Sequence, residues 1–134
     1  MVKIHHLGIV TPDIDEALLT LGLTRADITE SVYDANQKNT LHFIFLKENN
    51  LWLEFVEPMD ATSSVANFSR KNGLGLHHLA MGSTDLAATE EKYKQQEGTF
   101  VLGRYAINVK SFGGNIKTLF VAVKGLILEF VQNE

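Results

Sequence analysis

Hydrophobic and polar positions alternate in several short stretches of the chain, and this alternation predicts strands. The first predicted strand covers residues 2–10 and contains the run IHHLGIV. The residues TPD that follow it are typical of a helix start, with Thr11 as the N-cap and Pro12 in the first turn. This helix is expected to end near Gly22. Three β-rich stretches then complete a β-α-β-β-β order, at roughly 28–34, 40–47 and 50–57.

The same order of elements is predicted a second time. A strand over 75–82 precedes a helix over about 84–96, and three further strands follow near 99–106, 116–123 and 125–131. The segment between the two copies carries a short predicted helix over 63–70. We therefore expect one domain over residues 1–134, with module 1 at about 1–58, a linker at 59–74 and module 2 at about 75–134.

Direct sequence repeats support this division. IHHLGIV aligns with LHHLAMG at an offset of 72 residues, which matches His5 with His77 and His6 with His78. LWLEFVE aligns with LILEFVQ at an offset of 75 residues and matches Glu54 with Glu129. Two matches in the same order indicate an internal duplication. The expected fold is α+β, with two tandem βαβββ modules that form a curved mixed sheet around a metal-binding cleft.

Strand alternation assigns the two histidines of each pair to opposite faces. His6 shares its face with Gly8, and His78 shares its face with Ala80. Such small neighbours leave room for a ligand. His5 and His77 point the other way, so we interpret them as structural residues.

One histidine and one glutamate therefore recur at matched positions in the two copies. A buried, unpaired carboxylate is costly, and two imidazoles with two carboxylates suit a divalent ion. We predict one such ion (Zn, Co, Ni, Mn or Fe) with the ligands His6, Glu54, His78 and Glu129. The alternative, in which the histidines and glutamates form ion pairs without a metal, stays open. His42 has no counterpart and is expected on the strand surface, still within reach of the cleft.

Composition and charge narrow the classes of function. The chain has no cysteine, which excludes disulfides, thiolate metal sites and a cysteine nucleophile and favours a cytoplasmic protein. The net charge is −4, and the scattered cations indicate no nucleic-acid partner. No apolar run approaches the ~20 residues of a membrane span. Arg70, Lys71 and Arg104 are candidates for binding an anionic substrate group, against the alternative of solvated surface charges.

Four stretches together resemble the vicinal oxygen chelate (glyoxalase/bleomycin resistance/dioxygenase) superfamily, and within it the methylmalonyl-CoA epimerase family. They are IHHLGIVTPDIDEAL, LWLEFVEP, NFSRKNGLGLHHLAMGSTDL and LILEFVQ. The resemblance implies metal positions at His6, Glu54, His78 and Glu129. It also implies a divalent-metal-dependent isomerase or epimerase that moves a proton next to a carbonyl or thioester through a metal-stabilised enolate. Its substrate would be a small molecule such as an acyl-CoA or another thioester, and the protein would be a homodimer.

The chain departs from the epimerase pattern at the expected base. Those enzymes carry an acidic residue just before the strand that here reads TLHFIFL, whereas this chain has Gln37 and Lys38 near that position. The candidate bases are therefore Asp34, and Glu129 acting as both ligand and base. The alternatives are a glyoxalase I-like lactoylglutathione lyase and a non-catalytic small-molecule or antibiotic-binding protein of the same fold. Dioxygenases and thiol transferases of the superfamily use two His and one Glu, so Glu54 disfavours them.

Overall fold

A computed structural model describes residues 2–134 of the chain. It contains three helices: α1 (Ile14–Thr20), α2 (Ala66–Asn72) and α3 (Leu86–Lys94). It contains eight strands: β1 (Ile4–Val10), β2 (Glu30–Asp34), β3 (Asn39–Leu46), β4 (Leu51–Pro58), β5 (Gly75–Gly82), β6 (Thr99–Val109), β7 (Gly114–Val123) and β8 (Leu126–Asn133). The β-α-β-β-β order predicted for each copy is confirmed. None of the helices in this part of the chain is long and apolar enough to cross a membrane.

The chain divides into two compact units. The central unit is Leu7–His77, and the terminal unit combines the segment that ends at His6 with His78–Glu134. The division falls within β1 and within β5, so each of these strands contributes residues to both units.

The central unit has the strand order β2-β3-β4-β1. β3 pairs antiparallel with both β2 and β4, and this register sets Ser31 opposite His42 and Phe43 opposite Glu54. The amphipathic helix α1 buries Ile14, Ala17 and Leu18 against one face of these strands. Burial of this apolar face stabilises the helix, since seven residues are too few for a helix to persist alone.

The terminal unit has the strand order β1-β5-β8-β7-β6. β5 runs parallel to β8, whereas β7 pairs antiparallel with β8 and β6, so the sheet is mixed. One face carries an apolar core that contacts Leu86 and Tyr93 of α3; its buried members are Met81, Leu119, Val121, Val123, Leu128 and Phe130. The predicted α+β class with a mixed sheet is confirmed.

The first helix begins two residues later than the sequence predicts. Its N-cap is Asp13, whose Oδ1 accepts hydrogen bonds from the N–H groups of Asp15 (2.9 Å) and Glu16 (3.4 Å). Thr11 is not the cap, because its N–H still donates to the carbonyl of Val56 at 3.0 Å and holds it beside the sheet. The helix can therefore start only after the segment that follows β1 has moved away from its neighbouring strand β4.

The two copies share the same hydrogen bonds at their helix starts. In the central unit the N–H of Ile14 donates to Oε2 of Glu57 (3.0 Å), and in the terminal unit the N–H of Leu86 donates to Oε1 of Gln132 (2.8 Å). Glu57 and Gln132 are matched by the repeat at an offset of 75 residues. The bond from Thr11 to Val56 likewise has its counterpart in Ser83 N–H donating to the carbonyl of Val131 at 2.8 Å. These matched bonds support the internal duplication.

Candidate metal centre

Three of the four predicted ligands meet in the terminal unit. Oε1 of Glu129 lies 2.9 Å from Nε2 of His6 and 3.1 Å from Nε2 of His78. The two Nε2 atoms are 3.3 Å apart. The register of β5 against β8 brings His78 close to Glu129. Glu129 is directly opposite Ala80, and His78 lies two residues before Ala80 on the same face of the sheet. The small side chain of Ala80 leaves the space in which the larger side chains converge.

The three residues that meet here are almost fully shielded from solvent. His6 is 1% exposed, His78 7% and Glu129 5%. Burial raises the pKa of the Glu129 carboxyl, but attraction by His6 and His78 outweighs it and holds this pKa below its usual range. Glu129 is thus a buried carboxylate that keeps its negative charge.

The arrangement fits a bound cation better than a set of hydrogen bonds. Among the described residues, Oε1 of Glu129 has no hydrogen bond of suitable geometry, although two ring nitrogens lie within 3.1 Å of it. Ligand atoms that share one ion at bond lengths of about 2.0–2.2 Å lie roughly 3 Å from one another, as these three do. Two imidazole nitrogens and a carboxylate oxygen also form a donor set that zinc and its neighbours accept.

Glu54, the fourth predicted ligand, lies on β4 in the central unit and is buried. Its cross-strand partner is Phe43, and Glu129 likewise has Phe120 directly opposite on β7. The two glutamates therefore occupy matched strand environments, as the repeat predicts.

Two phenylalanine rings, those of Phe112 and Phe120, pack against the histidines of the terminal unit. His5 Nδ1 is 2.8 Å from His6 Nδ1, and the ring of Phe112 lies edge-on to His5 (centroids 4.4 Å apart) and nearly parallel to His6 (5.7 Å). Phe120 contacts His78 edge-on at 5.3 Å. Sequence reasoning missed both phenylalanines. The pairing of β7 with β8 was the signal for Phe120, but nothing in the sequence points to Phe112, which lies in the turn Lys110–Phe112.

His42 differs from its prediction as a surface residue. It is buried, its Nδ1 lies 2.7 Å from Oγ of Ser31, and its Nε2 lies 3.3 Å from Oε1 of Glu57. His42 also does not share a strand face with Glu54. Phe43 is the residue opposite Glu54, so its neighbour His42 points to the other face of the central strands, beside the core under α1.

Asp34, one of the two candidate bases, lies buried at the end of β2. Its Oδ1 accepts hydrogen bonds from the N–H groups of Asn36 (3.0 Å) and Gln37 (3.3 Å). Its Oδ2 accepts a third from Nε2 of Gln37 at 3.1 Å. The carboxylate thus holds together the turn that connects β2 with β3.

The three cations that are candidates for substrate binding, Arg70, Lys71 and Arg104, are exposed at the surface. Nε of Arg104 donates to Oε1 of Glu90 at 2.7 Å, and Lys94 pairs with the same carboxylate at 2.8 Å. Arg104 is therefore engaged in an ion pair, which favours the alternative of a surface charge. Arg70 lies in the last turn of α2 and donates to Asn67.

Comparison with known proteins gives one family and a consistent fold. The family model for the Glyoxalase/Bleomycin resistance protein/Dioxygenase superfamily matches residues 5–114. Mitochondrial methylmalonyl-CoA epimerase of Dictyostelium discoideum is 30% identical over 86 residues, which are 63% of this chain and 51% of that protein. The chain thus spans about half the length of the curated relative that it matches.

Solved structures have the same fold. Methylmalonyl-CoA epimerase from Mycobacterium tuberculosis gives a TM-score of 0.77 at 22% identity, covering 98% of this chain and 88% of that one. A variant of methylmalonyl-CoA epimerase from Streptomyces coelicolor, in complex with 2-nitronate-propionyl-CoA, gives 0.76 at 23% identity, covering 99% and 98%. At these identities the similarity establishes the fold alone.

Proposed function

The chain belongs to the Glyoxalase/Bleomycin resistance protein/Dioxygenase superfamily, and we propose that it is a divalent-metal-dependent epimerase of the methylmalonyl-CoA epimerase type. The observation that carries this proposal is the buried convergence of His6, His78 and Glu129 on one point. A site built only for stability would not need three polar side chains where apolar ones would pack without a desolvation cost.

The proposed ligands are His6, His78 and Glu129, with Glu54 as the fourth. The repeat supports Glu54, because it occupies in the first copy the position that Glu129 occupies in the second, and it is buried. A bound divalent ion would supply positive charge beside the carbonyl oxygen on which negative charge develops during proton removal. The two imidazoles hold their Nε2 atoms toward this point, and the surrounding apolar strands exclude water.

Glu129 is the proposed base. Its buried carboxylate lies where the two imidazoles converge and would take the proton from the carbon next to the carbonyl, on the side that faces it. Asp34 is the less suitable candidate, because its two oxygens already accept three hydrogen bonds within its own turn. The reaction is redox-neutral: one C–H bond breaks, its proton passes to the carboxylate, and inversion is completed when a proton from water forms the new C–H bond on the opposite face.

The proposed substrate is an acyl-CoA or a related thioester with an acidic C–H next to its carbonyl. The names of two relatives support this class, since both are methylmalonyl-CoA epimerases and a variant of the Streptomyces coelicolor protein forms a complex with 2-nitronate-propionyl-CoA. Arg70 and Lys71 in the last turn of α2 are the proposed contacts for an anionic part of the substrate. A homodimer and a cytoplasmic location stay predictions.

The test combines metal analysis with isotope exchange. The purified chain is loaded with each candidate ion, its metal content is measured, and methylmalonyl-CoA in D₂O is followed by NMR for deuterium at the carbon next to the thioester. We expect about one ion per chain and exchange that His6→Ala abolishes. Metal without exchange, but with conversion of a glutathione hemithioacetal, would favour the glyoxalase alternative. Absence of metal and of both reactions would leave the non-catalytic binding protein.

A further inference from the structure

We infer that His5 is a positioning residue for the metal centre: through its Nδ1 it sets the tautomer and the ring orientation of His6. This inference rests on the proposed function, because it concerns a ligand of the proposed metal. Its basis is the 2.8 Å separation between Nδ1 of His5 and Nδ1 of His6, at the end of the His6 ring that points away from Glu129.

The proton position on a metal-bound His6 ring follows from what its two nitrogens contact. A nitrogen that binds a metal must offer its lone pair, so Nε2 of His6, which faces Glu129 and His78, has to be unprotonated. The proton of the neutral ring then lies on Nδ1 and is donated toward His5. Nδ1 of His5 must be the acceptor, and His5 carries its own proton on Nε2. Partners of this kind hold ligand imidazoles in most metal sites, where carboxylates and carbonyls are the usual acceptors.

The contact is not a simple result of neighbouring positions in a strand. Consecutive side chains of a strand point to opposite faces, so alternation alone separates the rings of His5 and His6. Here both rings turn toward each other, and the ring of Phe112 lies against both of them. Phe112 is buried and contacts His5 edge-on while it stacks nearly parallel to His6, at an interplanar angle of 13°. The phenyl ring thus limits how far either imidazole can rotate.

The sequence repeat provides a matched control at His77. This residue is the counterpart of His5, because it precedes the second histidine ligand, His78, in the same way. In the central unit its ring packs edge-on against that of Phe68, with the ring centroids 4.9 Å apart. His77 is therefore a histidine of the same sequence context, with a packing contact of its own.

The first experiment compares His5→Leu, His5→Asn and His77→Leu with the unchanged chain. Zn²⁺ and Co²⁺ affinities are measured by competition with a chelator of known affinity. Loss of a partner of a metal-bound histidine typically weakens binding about 10- to 100-fold, and we expect this for His5→Leu. Asparagine places Oδ1 where histidine has Nδ1, so His5→Asn should stay within a few-fold of the unchanged chain. His77→Leu should also bind normally. Equal affinities for His5→Leu and the unchanged chain would overturn the inference.

The second experiment observes the Nδ1–H of His6 in the Zn²⁺-loaded protein. In the metal-free protein Nε2 of His6 can instead donate to Glu129, which lies 2.9 Å away, so the loaded state is the one that tests the metal-binding tautomer. ¹⁵N-resolved NMR of the imidazoles is expected to show a slowly exchanging Nδ1–H in the unchanged chain and in His5→Asn, and faster exchange of this proton with solvent in His5→Leu. Equal exchange rates in the three proteins would contradict the inference even if the variants differ in stability. If the unchanged chain binds no metal, the proposed metal centre fails, whereas normal metal binding by both the unchanged chain and His5→Leu would contradict the role of His5 alone.

Discussion

Nε2 of His6 and Nε2 of His78 lie 3.3 Å apart, although the two residues are separated by 72 positions in the chain. Two unprotonated imidazole nitrogens at this distance would point their lone pairs at each other. Such an approach is favourable only with a proton or a cation between them, and Glu129 adds a negative charge at the same point. The pair of histidines therefore defines a place for positive charge, which a metal ion would fill.

Metal removal should lower the stability of the folded chain. An ion at 100 times its dissociation constant stabilises by about 2.7 kcal/mol, which for a chain of this length corresponds to a rise in Tm of roughly 10 °C. Differential scanning calorimetry with EDTA and with added Zn²⁺ or Co²⁺ measures the change. His6→Ala should remove the metal-dependent rise, whereas His77→Leu should retain it. A Tm that does not respond to any of the candidate ions would speak for ion pairs without a metal.

Substitution at the two candidate bases should separate their roles. Glu129→Gln removes the proton acceptor and should reduce isotope exchange about 10²- to 10⁴-fold. Asp34→Asn keeps an oxygen for the turn N–H bonds of Asn36 and Gln37 and should leave most of the exchange rate intact. Exchange rates in D₂O, with metal content measured for each variant, distinguish loss of the base from loss of the ion. The opposite ranking would identify Asp34 as the base.

The ion pairs of Glu90 should make stability depend on pH at the acid end. Hydrogen bonds from Arg104, and then from Lys94, lower the pKa of Glu90 to about 2, from about 4.3 in an unfolded chain. A lowered pKa means that the stabilisation is complete above the unfolded value and is lost as the pH falls through about 2. Because Arg104 and Lys94 are exposed, the effect should be modest and weaker in high salt.

The Glu90→Gln variant measures this contribution. Urea unfolding at pH 7, 4 and 2.5 gives the difference in free energy between this variant and the unchanged chain. That difference should be largest at pH 7 and should shrink toward pH 2.5. A difference independent of pH would show that Glu90 contributes through packing and not through its charge.

Glu57 should tolerate glutamine but not alanine. Glutamine keeps an oxygen for the N–H of Ile14, as Gln132 does for Leu86 in the second copy. Alanine leaves that N–H and Nε2 of His42 without their acceptor, which should cost about 1–3 kcal/mol. Urea unfolding of Glu57→Gln, Glu57→Ala and Gln132→Ala provides the comparison. If the Gln and Ala variants at position 57 were equally stable, the helix-start hydrogen bond would contribute nothing.

The parts of the fold that follow local periodicity were predictable from the sequence. The strands and helices have regular hydrophobic periods. Because the pattern is duplicated, each element is predicted twice, once in each copy. The helix start was placed wrongly, because Thr11 and Asp13 are both good caps. The deciding contact is the bond between Thr11 and Val56, which links residues far apart in the chain.

The candidate site also combines residues that the sequence repeat predicts with residues whose positions depend on contacts between distant parts of the chain. His6, His78 and Glu129 were identified because they recur at matched positions in apolar strands, and the structure brings these three together. His42 was placed wrongly because its burial depends on Ser31 and Glu57, which reach it from neighbouring strands. Phe112 was missed since its place against two histidines depends on the path of a turn, and no pattern in the sequence encodes that path.

Each copy fastens the start of its helix to its own last strand, across 43 residues in the first copy and 46 in the second. The loops closed by these bonds are of nearly equal length, so the entropy lost on closing them is nearly the same in both. Neither loop includes the linker 59–74, and a chain cut there keeps both bonds within its fragments. A cut in the linker would therefore separate the two copies along the chain without breaking either of the bonds that tie a helix to the last strand of its own copy.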